Sequence, residues 1–397
     1  MIKIAILGLG TVGTGVVKVV EANTAPIRHR LGEPLCVKTA LVRTMRSGPY
    51  HHLMTENFCE IETDSEIRVV VETIGGVGAA YEYTRRCLMA GKHVVTANKQ
   101  LVAEHGCELL ELARKNHVNY LFEASVGGGI PILHPLTQCM AANRVDEIYG
   151  ILNGTTNFIL TKMVKEGASF ADVLKLAQEK GYAEADPTAD VEGIDAGRKI
   201  CILADLAFGH QVNPEKVPME GITKLDLKDV EIAGRHGFRI KLLGRCLRLE
   251  GNRRTAYVAP HLIPMDNPIS DVNDVFNAVV VRGNATGEVM FYGKGAGELP
   301  TASACVADVM ECVQENRFRP EISWSADEGG FVSPLELKGR WYFRIDAPAE
   351  QVQPLAGKAA MLEEGRDTVL ITEPITGQEA EALEKKLPVL ARLRVLD

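Results

Sequence analysis

Residues 2–20 leave the chain little choice of architecture. Ile2–Leu7 is a short, unbroken apolar run. Unbroken rather than alternating apolarity is what a strand covered on both faces needs, as in a parallel sheet. The run passes directly into G-L-G-T-V-G at 8–13, then Thr14 and Gly15, then the apolar positions Val16, Val17, Val19 and Val20. Strand, glycine turn and helix in that order form a dinucleotide-binding fingerprint. Gly8 permits the tight turn, Gly10 lets the main chain approach a pyrophosphate, and Gly13 lets helix and strand pack closely. Free N–H groups at the helix start favour the phosphates. Gly8, Leu9, Gly10, Thr11, Val12 and Gly13 are therefore cofactor-binding candidates.

The pattern continues as βα units. Residues 35–42 read as the second strand, 69–73 as another, 79–90 as a helix and 93–96 as a further strand. Strands alternating with helices at this spacing predict a doubly wound parallel sheet. Ligands bind beyond the carboxyl ends of such strands, which brings Thr73 and Lys99 toward the cofactor. The second strand ends on Val42-Arg43-Thr44 rather than on an acid. A guanidinium there suits a 2′-phosphate, so Arg43 favours NADP over NAD; the alternative is a plain surface arginine. A strand at 119–122 leads into E-A-S-V-G-G-G-I-P at 123–131. Inward-turned carbonyls beside a carboxylate would suit a hard cation, and a simple flexible turn is the competing reading.

Residues 181–199, G-Y-A-E-A-D-P-T-A-D-V-E-G-I-D-A-G-R-K, hold five carboxylates and two cations. Gly, Pro and Asp make the first half a loop, and from about Val191 the apolar positions Ile194, Ile200, Ile202 and Leu203 suit a buried helix continuing to Phe208. Asp195 and Lys199 stand four apart and share a helix face. A carboxylate and an amine at the mouth of an apolar helix are costly to bury unless something uses them. Acids at the positive end of a solvated helix are the bland alternative.

Together these segments resemble the homoserine dehydrogenase family. The likeness rests on G-L-G-T-V-G at 8–13, T-A-N-K at 96–99, E-A-S-V-G-G-G-I-P at 123–131 and N-G-T-T-N at 153–157. The acidic stretch 181–199 and G-K-G-A-G at 293–297 complete it. The resemblance implies reversible NAD(P)-dependent oxidation of L-homoserine to L-aspartate 4-semialdehyde, on the route to threonine, methionine and isoleucine. It implies that Lys199 is the catalytic acid/base, with Lys99 beside cofactor and substrate. It also implies that Glu184 and Asp195 hold homoserine, and Gly181 and Asp190 join the substrate-binding candidates. Gly297 and Glu184 join the cofactor-binding set. An alkali cation such as sodium is implied at Glu123 with the carbonyls of Val126, Gly128 and Ile130. The chemistry agrees: a lysine near neutrality can take the hydroxyl proton while hydride leaves. The amides and hydroxyls of Asn153 to Asn157 would suit the substrate carboxylate.

The expected fold class is α/β: an N-terminal Rossmann domain, a mixed α+β catalytic and dimerisation domain, and a short, degenerate ACT-like βα unit. The expected boundaries are 1–135, completed by about 293–320; 136–292; and 340–397. The last unit reads as one strand short, with strands at 341–345, 368–371 and 389–395. A net charge of −8 argues against nucleic acid as a partner. No apolar run reaches the roughly eighteen residues of a membrane span. Nine scattered cysteines without a C-x-x-C pair fit reduced thiols in a cytoplasm. A homodimer or homotetramer is expected. A non-catalytic NAD(P)- or amino-acid-sensing protein on the same scaffold is the competing functional reading.

Overall fold

The computed structural model describes residues 1–314, 322–327 and 329–397. The first sheet contains β1 (Ile2–Leu7), β2 (Leu35–Leu41), β3 (Met54–Thr55), β4 (Ile67–Glu72), β5 (His93–Thr96) and β6 (Tyr120–Leu121). All pairings are parallel, in the order β3-β2-β1-β4-β5-β6. The order reverses between β1 and β4, which opens a crevice beyond their carboxyl ends. The apolar runs of β1, β4 and β5 are buried almost completely, as their lack of alternation requires.

Helix Thr11–Ala22 follows β1, and the late helix Glu298–Val313 lies against it. Gly15 makes that approach possible, since a Cβ there would stand 2.7 Å from the Glu298 carbonyl oxygen. The late helix buries Ala302, Cys305, Val306 and Val309 in the same core as β1 and β4. Residues 315–320, the tail of the expected return to the cofactor domain, lie outside the described residues.

The second sheet has nine strands. The first five are β7 (Val145–Ile151), β8 (Phe238–Arg248), β9 (Arg254–Pro264), β10 (Phe276–Gly283) and β11 (Gly287–Lys294). The C-terminal region supplies β12 (Lys338–Gly339), β13 (Trp341–Ile345), β14 (Ala359–Glu364), β15 (Thr368–Thr372), β16 (Ile375–Thr376) and β17 (Val389–Val395). The nine-stranded order is β11-β10-β7-β8-β9-β17-β13-β15-β14, while β12 and β16 form a separate pair.

One expectation is corrected here. The C-terminal unit is not short of a strand: 359–364 forms β14, antiparallel to β15. With helices Ala349–Ala356 and Gly377–Glu384 the unit is a complete βαββαβ. The sequence A-A-M-L-E-E conceals the strand because it sits on the sheet edge, half exposed, with no clean alternation. The unit is continuous with the central sheet. β17 pairs in parallel with β9 through Arg394 opposite His261 and Val395 opposite Leu262, so the last strand extends the central sheet.

Candidate active site

The glycine turn is built for close approach from one side. Gly8 takes φ +96°, and a Cβ on Gly13 would fall 2.1 Å from the Gly8 carbonyl oxygen. Thr73 locks the turn from β4, its hydroxyl donating to the Gly8 carbonyl at 2.7 Å. Arg46 reaches over and donates to the Leu9 carbonyl. Gly10 is the opposite case: it is exposed, and a Cβ there would have no neighbour within 4 Å. Helix Thr11–Ala22 starts on it with no side-chain cap, so its first N–H groups have no acceptor among the described residues. Anion-ready amides beside bare backbone fit a pyrophosphate. Thr11 is exposed and Val12 half-buried on this first turn, whereas Leu9 is buried. Arg43 is exposed beyond the end of β2 and makes no ion pair among the described residues.

Across the crevice three segments converge. Asn98 caps helix Lys99–Lys115 by accepting from the Leu101 N–H at 3.1 Å, which sets Lys99 at the first helical position. The acidic stretch forms a short helix, Thr188–Val191, turns at Gly193 with φ +81°, and restarts as helix Ile194–Phe208. Asp195 and Lys199 lie on its first turns, Asp195 buried and the Lys199 side chain 10% exposed. Lys199 Nζ donates to Asp195 Oδ2 and to the Leu152 carbonyl, both at 2.7 Å. Lys99 Nζ stands 3.0 Å from Asp195 Oδ1, with its side chain 40% exposed. One buried carboxylate thus carries an ammonium group on each oxygen, one from each sheet's side of the crevice.

Asn153 completes the cluster. Its amide nitrogen donates to Asp195 Oδ2 at 2.9 Å and to Asp190 Oδ1 at 2.7 Å, while its oxygen caps helix Gly154–Glu166 at the Thr156 N–H. Burial opposes ionisation of Asp195, but the charges of Lys199 and Lys99 outweigh it and hold the carboxyl well below the usual carboxylate range. Burial pushes the Asp190 carboxyl up, aided by the neighbouring Asp195 charge and opposed by the Asn153 amide.

Other candidates sit differently. Gly181 follows helix Phe170–Glu179 with φ +73° and is exposed. Glu184 is exposed; its carbonyl accepts from Gln178 Nε2 at 3.1 Å, and its carboxylate has no partner among the described residues. It is not drawn into the lysine–aspartate cluster. The side chains of 153–157, expected to offer donors to a substrate, are instead committed within the protein. Thr155 donates to the Tyr182 carbonyl, Thr156 to Asn153, and Asn157 to the carbonyls of Val272 and Phe276. The run binds the site together, because a buried polar side chain without a partner is costly.

Glu123 is buried, and its carboxylate accepts three main-chain N–H groups, from Ile132 and Leu133 at 2.6 and 2.9 Å and from His134 at 2.7 Å. Its carboxylate oxygens thus fasten the segment that follows the loop. The carbonyls of Val126, Gly128 and Ile130 belong to buried residues and accept no hydrogen bond among the described residues. Gly297, at φ +130°, begins helix Glu298–Val313 without a side-chain cap. Glu72 is a further polar residue of the crevice that sequence reasoning passed over. It ends β4 fully buried, and an acid closing the run Val69-Val70-Val71 was the available signal.

A glycine crevice that accepts a dinucleotide, faced by lysines sharing a buried acid, defines an NAD(P)-dependent oxidoreductase. Comparison with known proteins narrows the class. Residues 8–123 match the NAD-binding domain of homoserine dehydrogenase, and residues 131–310 match the homoserine dehydrogenase family proper. The chain is 45% identical to a homoserine dehydrogenase of Bacillus subtilis over 88% of its own length and 82% of the relative's. It is 41% identical to one from Pseudomonas aeruginosa over 100% and 93%. The crystal structure of a homoserine dehydrogenase from Thiobacillus denitrificans superposes with a TM-score of 0.92 at 37% identity, covering 100% of this chain and 98% of that one. A hyperthermophilic archaeal homoserine dehydrogenase in complex with NADPH is similar at a TM-score of 0.67 and 27% identity, over 80% of this chain and 99% of that one. The chain belongs to the homoserine dehydrogenase family, whose NAD(P)-dependent activity serves aspartate-family amino-acid biosynthesis.

Proposed function

We propose that Lys199 is the acid/base of homoserine oxidation and that Lys99 stands beside it at cofactor and substrate. The observation that carries this is the single buried Asp195 carboxylate, 2.7 Å from one ammonium and 3.0 Å from the other. The bound NAD(P) supplies the hydride chemistry. Lys199 as free amine takes the homoserine hydroxyl proton, and as ammonium returns it in the reverse direction. Asp195 holds both lysines in register by charge. Glu184, whose carboxylate has no partner among the described residues, and Asp195 receive the substrate ammonium, with Asp190 beside them, and Gly181 gives the loop carrying Glu184 its turn. Lys199→Ala is expected to lower turnover by roughly a hundredfold or more with coenzyme affinity retained. Full turnover in that variant would reject the role.

The coenzyme preference is NADP. Arg43 stands exposed and without an ion pair among the described residues beyond β2, where a 2′-phosphate lies in this fold. The loop carbonyls of Val126, Gly128 and Ile130, with Glu123, hold an alkali cation such as sodium; its part is to fix the loop. The working division is a cofactor unit of 1–135 closed by the helix Glu298–Val313, a catalytic and dimerisation unit of 136–292, and a C-terminal unit of 340–397. The protein works as a homodimer or homotetramer, and β11 leaves an unpaired edge with Met290 and Tyr292 exposed. Its compartment is the cytoplasm, in keeping with nine cysteines that are free thiols. No helix among the described residues is long and apolar enough to cross a membrane.

A further inference from the structure

Glu72 ends β4 with 0% exposure, at the carboxyl edge where β1, β4 and β5 are level: Leu7 is opposite Glu72, and Glu72 is opposite Thr96. It makes no ion pair among the described residues. A buried carboxylate without a counter-cation costs more than an apolar side chain of similar size, and the three residues before it are valines. Stability does not account for an acid here; what it holds does.

Its two oxygens fasten different loops. Oε1 accepts the Ile74 N–H at 2.7 Å, on the loop that follows β4. Oε2 accepts the Thr96 hydroxyl at 2.5 Å, at the end of β5. Thr96 Oγ1 in turn accepts the Asn98 N–H at 2.9 Å. Asn98 then donates from its amide to the Gly76 carbonyl at 2.6 Å and caps the helix that Lys99 begins. The ring closes on both loops of the crevice, and its last member is the residue before Lys99. The Lys99 ammonium reaches Asp195 at 3.0 Å from that fixed start.

We propose that Glu72 is a positioning residue: its carboxylate locks loop 73–76 to segment 96–99 and so sets where the Lys99 ammonium stands against Asp195. The proposal rests on the reading of Lys99 and Lys199 given above. Both oxygens of Glu72 meet donors, and glutamine keeps an acceptor for only one of them, putting an NH2 where the other oxygen stood. The glutamine NH2 would face the Thr96 hydroxyl, which could meet it only by turning its own hydrogen away and using its second lone pair, so the Thr96-to-Glu72 hydrogen bond is lost. The expected misplacement is small, and misplacements near 1 Å cost on the order of a hundredfold in favourable geometries.

The test is a double-mutant cycle of Glu72→Gln and Thr96→Val, with turnover, coenzyme dissociation constant and melting temperature measured on each purified protein. Each single variant is expected to lose roughly tenfold or more in kcat, with coenzyme affinity and melting temperature near those of the parent. The double variant is expected to lose little beyond either single one, since both cut the same link. Multiplicative losses, or Glu72→Gln with parental kcat, would overturn the proposal. So would a fall in melting temperature with unchanged kcat per folded molecule, the mark of a merely structural role. If Glu72→Gln does not fold, Thr96→Val alone carries the test, and parental kcat there overturns it. Lys99→Ala run alongside separates the two readings. Lost activity there with an intact Glu72→Gln rejects only Glu72, whereas retained activity in Lys99→Ala rejects the lysine assignment itself.

Discussion

At the scale of the residue, neighbouring glycines of one motif have opposite jobs. A Cβ on Gly13 would collide with the Gly8 carbonyl, whereas a Cβ on Gly10, at φ −83°, would meet no protein atom. Gly10→Ala should therefore melt like the parent yet bind coenzyme roughly tenfold or more weaker, about 1.4 kcal/mol. Calorimetric titration beside a thermal melt reads both, and unchanged affinity would mean the pyrophosphate does not pass Gly10. Asp195 makes a pH prediction. Its carboxyl is held below its unfolded value, near 3.9 for a free aspartate, so its stabilising charge is complete above that value and fades only as pH falls through the folded one. The stability gap between the parent and Asp195→Asn should stay level from pH 7 to about 4 and shrink below. Urea unfolding across that range checks it; a gap already closing between about pH 7 and 5 would contradict the depressed carboxyl.

Elements are joined here by buried charge as well as by apolar packing. Helix Leu227–Arg235 docks on the C-terminal sheet through Asp229, which takes both a bidentate Arg344 guanidinium at 2.7 and 2.9 Å and the Tyr342 hydroxyl at 2.7 Å. Both charged side chains are almost fully enclosed. Arg344→Met removes the cation and leaves the carboxylate behind, a loss of about 3–5 kcal/mol for a buried pair broken on one side. Chemical denaturation should show it, and a change under about 1 kcal/mol would place the pair among surface salt bridges instead. Sequence patterns identified most elements that carry the crevice, because β1, β4 and β5 are unbroken apolar runs and their helices repeat on one face. β14 escaped because an edge strand needs no such pattern. Asn153 was legible as a polar residue before a helix, but its bridging of two aspartates was not, since Asp190 and Asp195 lie far along the chain and nothing local announces them.

For the whole molecule, the continuous nine-stranded sheet decides how the C-terminal unit behaves. β17 is hydrogen-bonded to β9, Leu396 sits in an apolar cluster with Leu243 and Ile263, and the Arg394 guanidinium lies 4.6 Å from the Tyr257 ring and 4.3 Å from the Trp341 ring. Cutting the chain after residue 337 would strip His261 and Leu262 of β9 of their β17 partners and bare that end of the sheet edge, a setting for aggregation, while Arg254 and Val258 keep their bridges to Phe331 and Met219. The truncated protein is expected to aggregate, or to melt at least several degrees below the parent, in a scattering-monitored thermal ramp. A melt matching the parent would show that the joint contributes little.

What the chain's order of residues determined by itself is local: glycines where backbone must turn or be approached, apolar runs where strands are covered on both sides, and Asp195 and Lys199 one helical turn apart. Those follow from steric limits and from a helix's repeat, and neither depends on distant partners. Only the tertiary structure decided that Lys99 and Lys199 share one carboxylate, that Glu72 ties two loops, and that the last strand completes the central sheet. Each of these needs groups far apart in the chain to meet within hydrogen-bonding distance, and that distance is set by how the sheets pack.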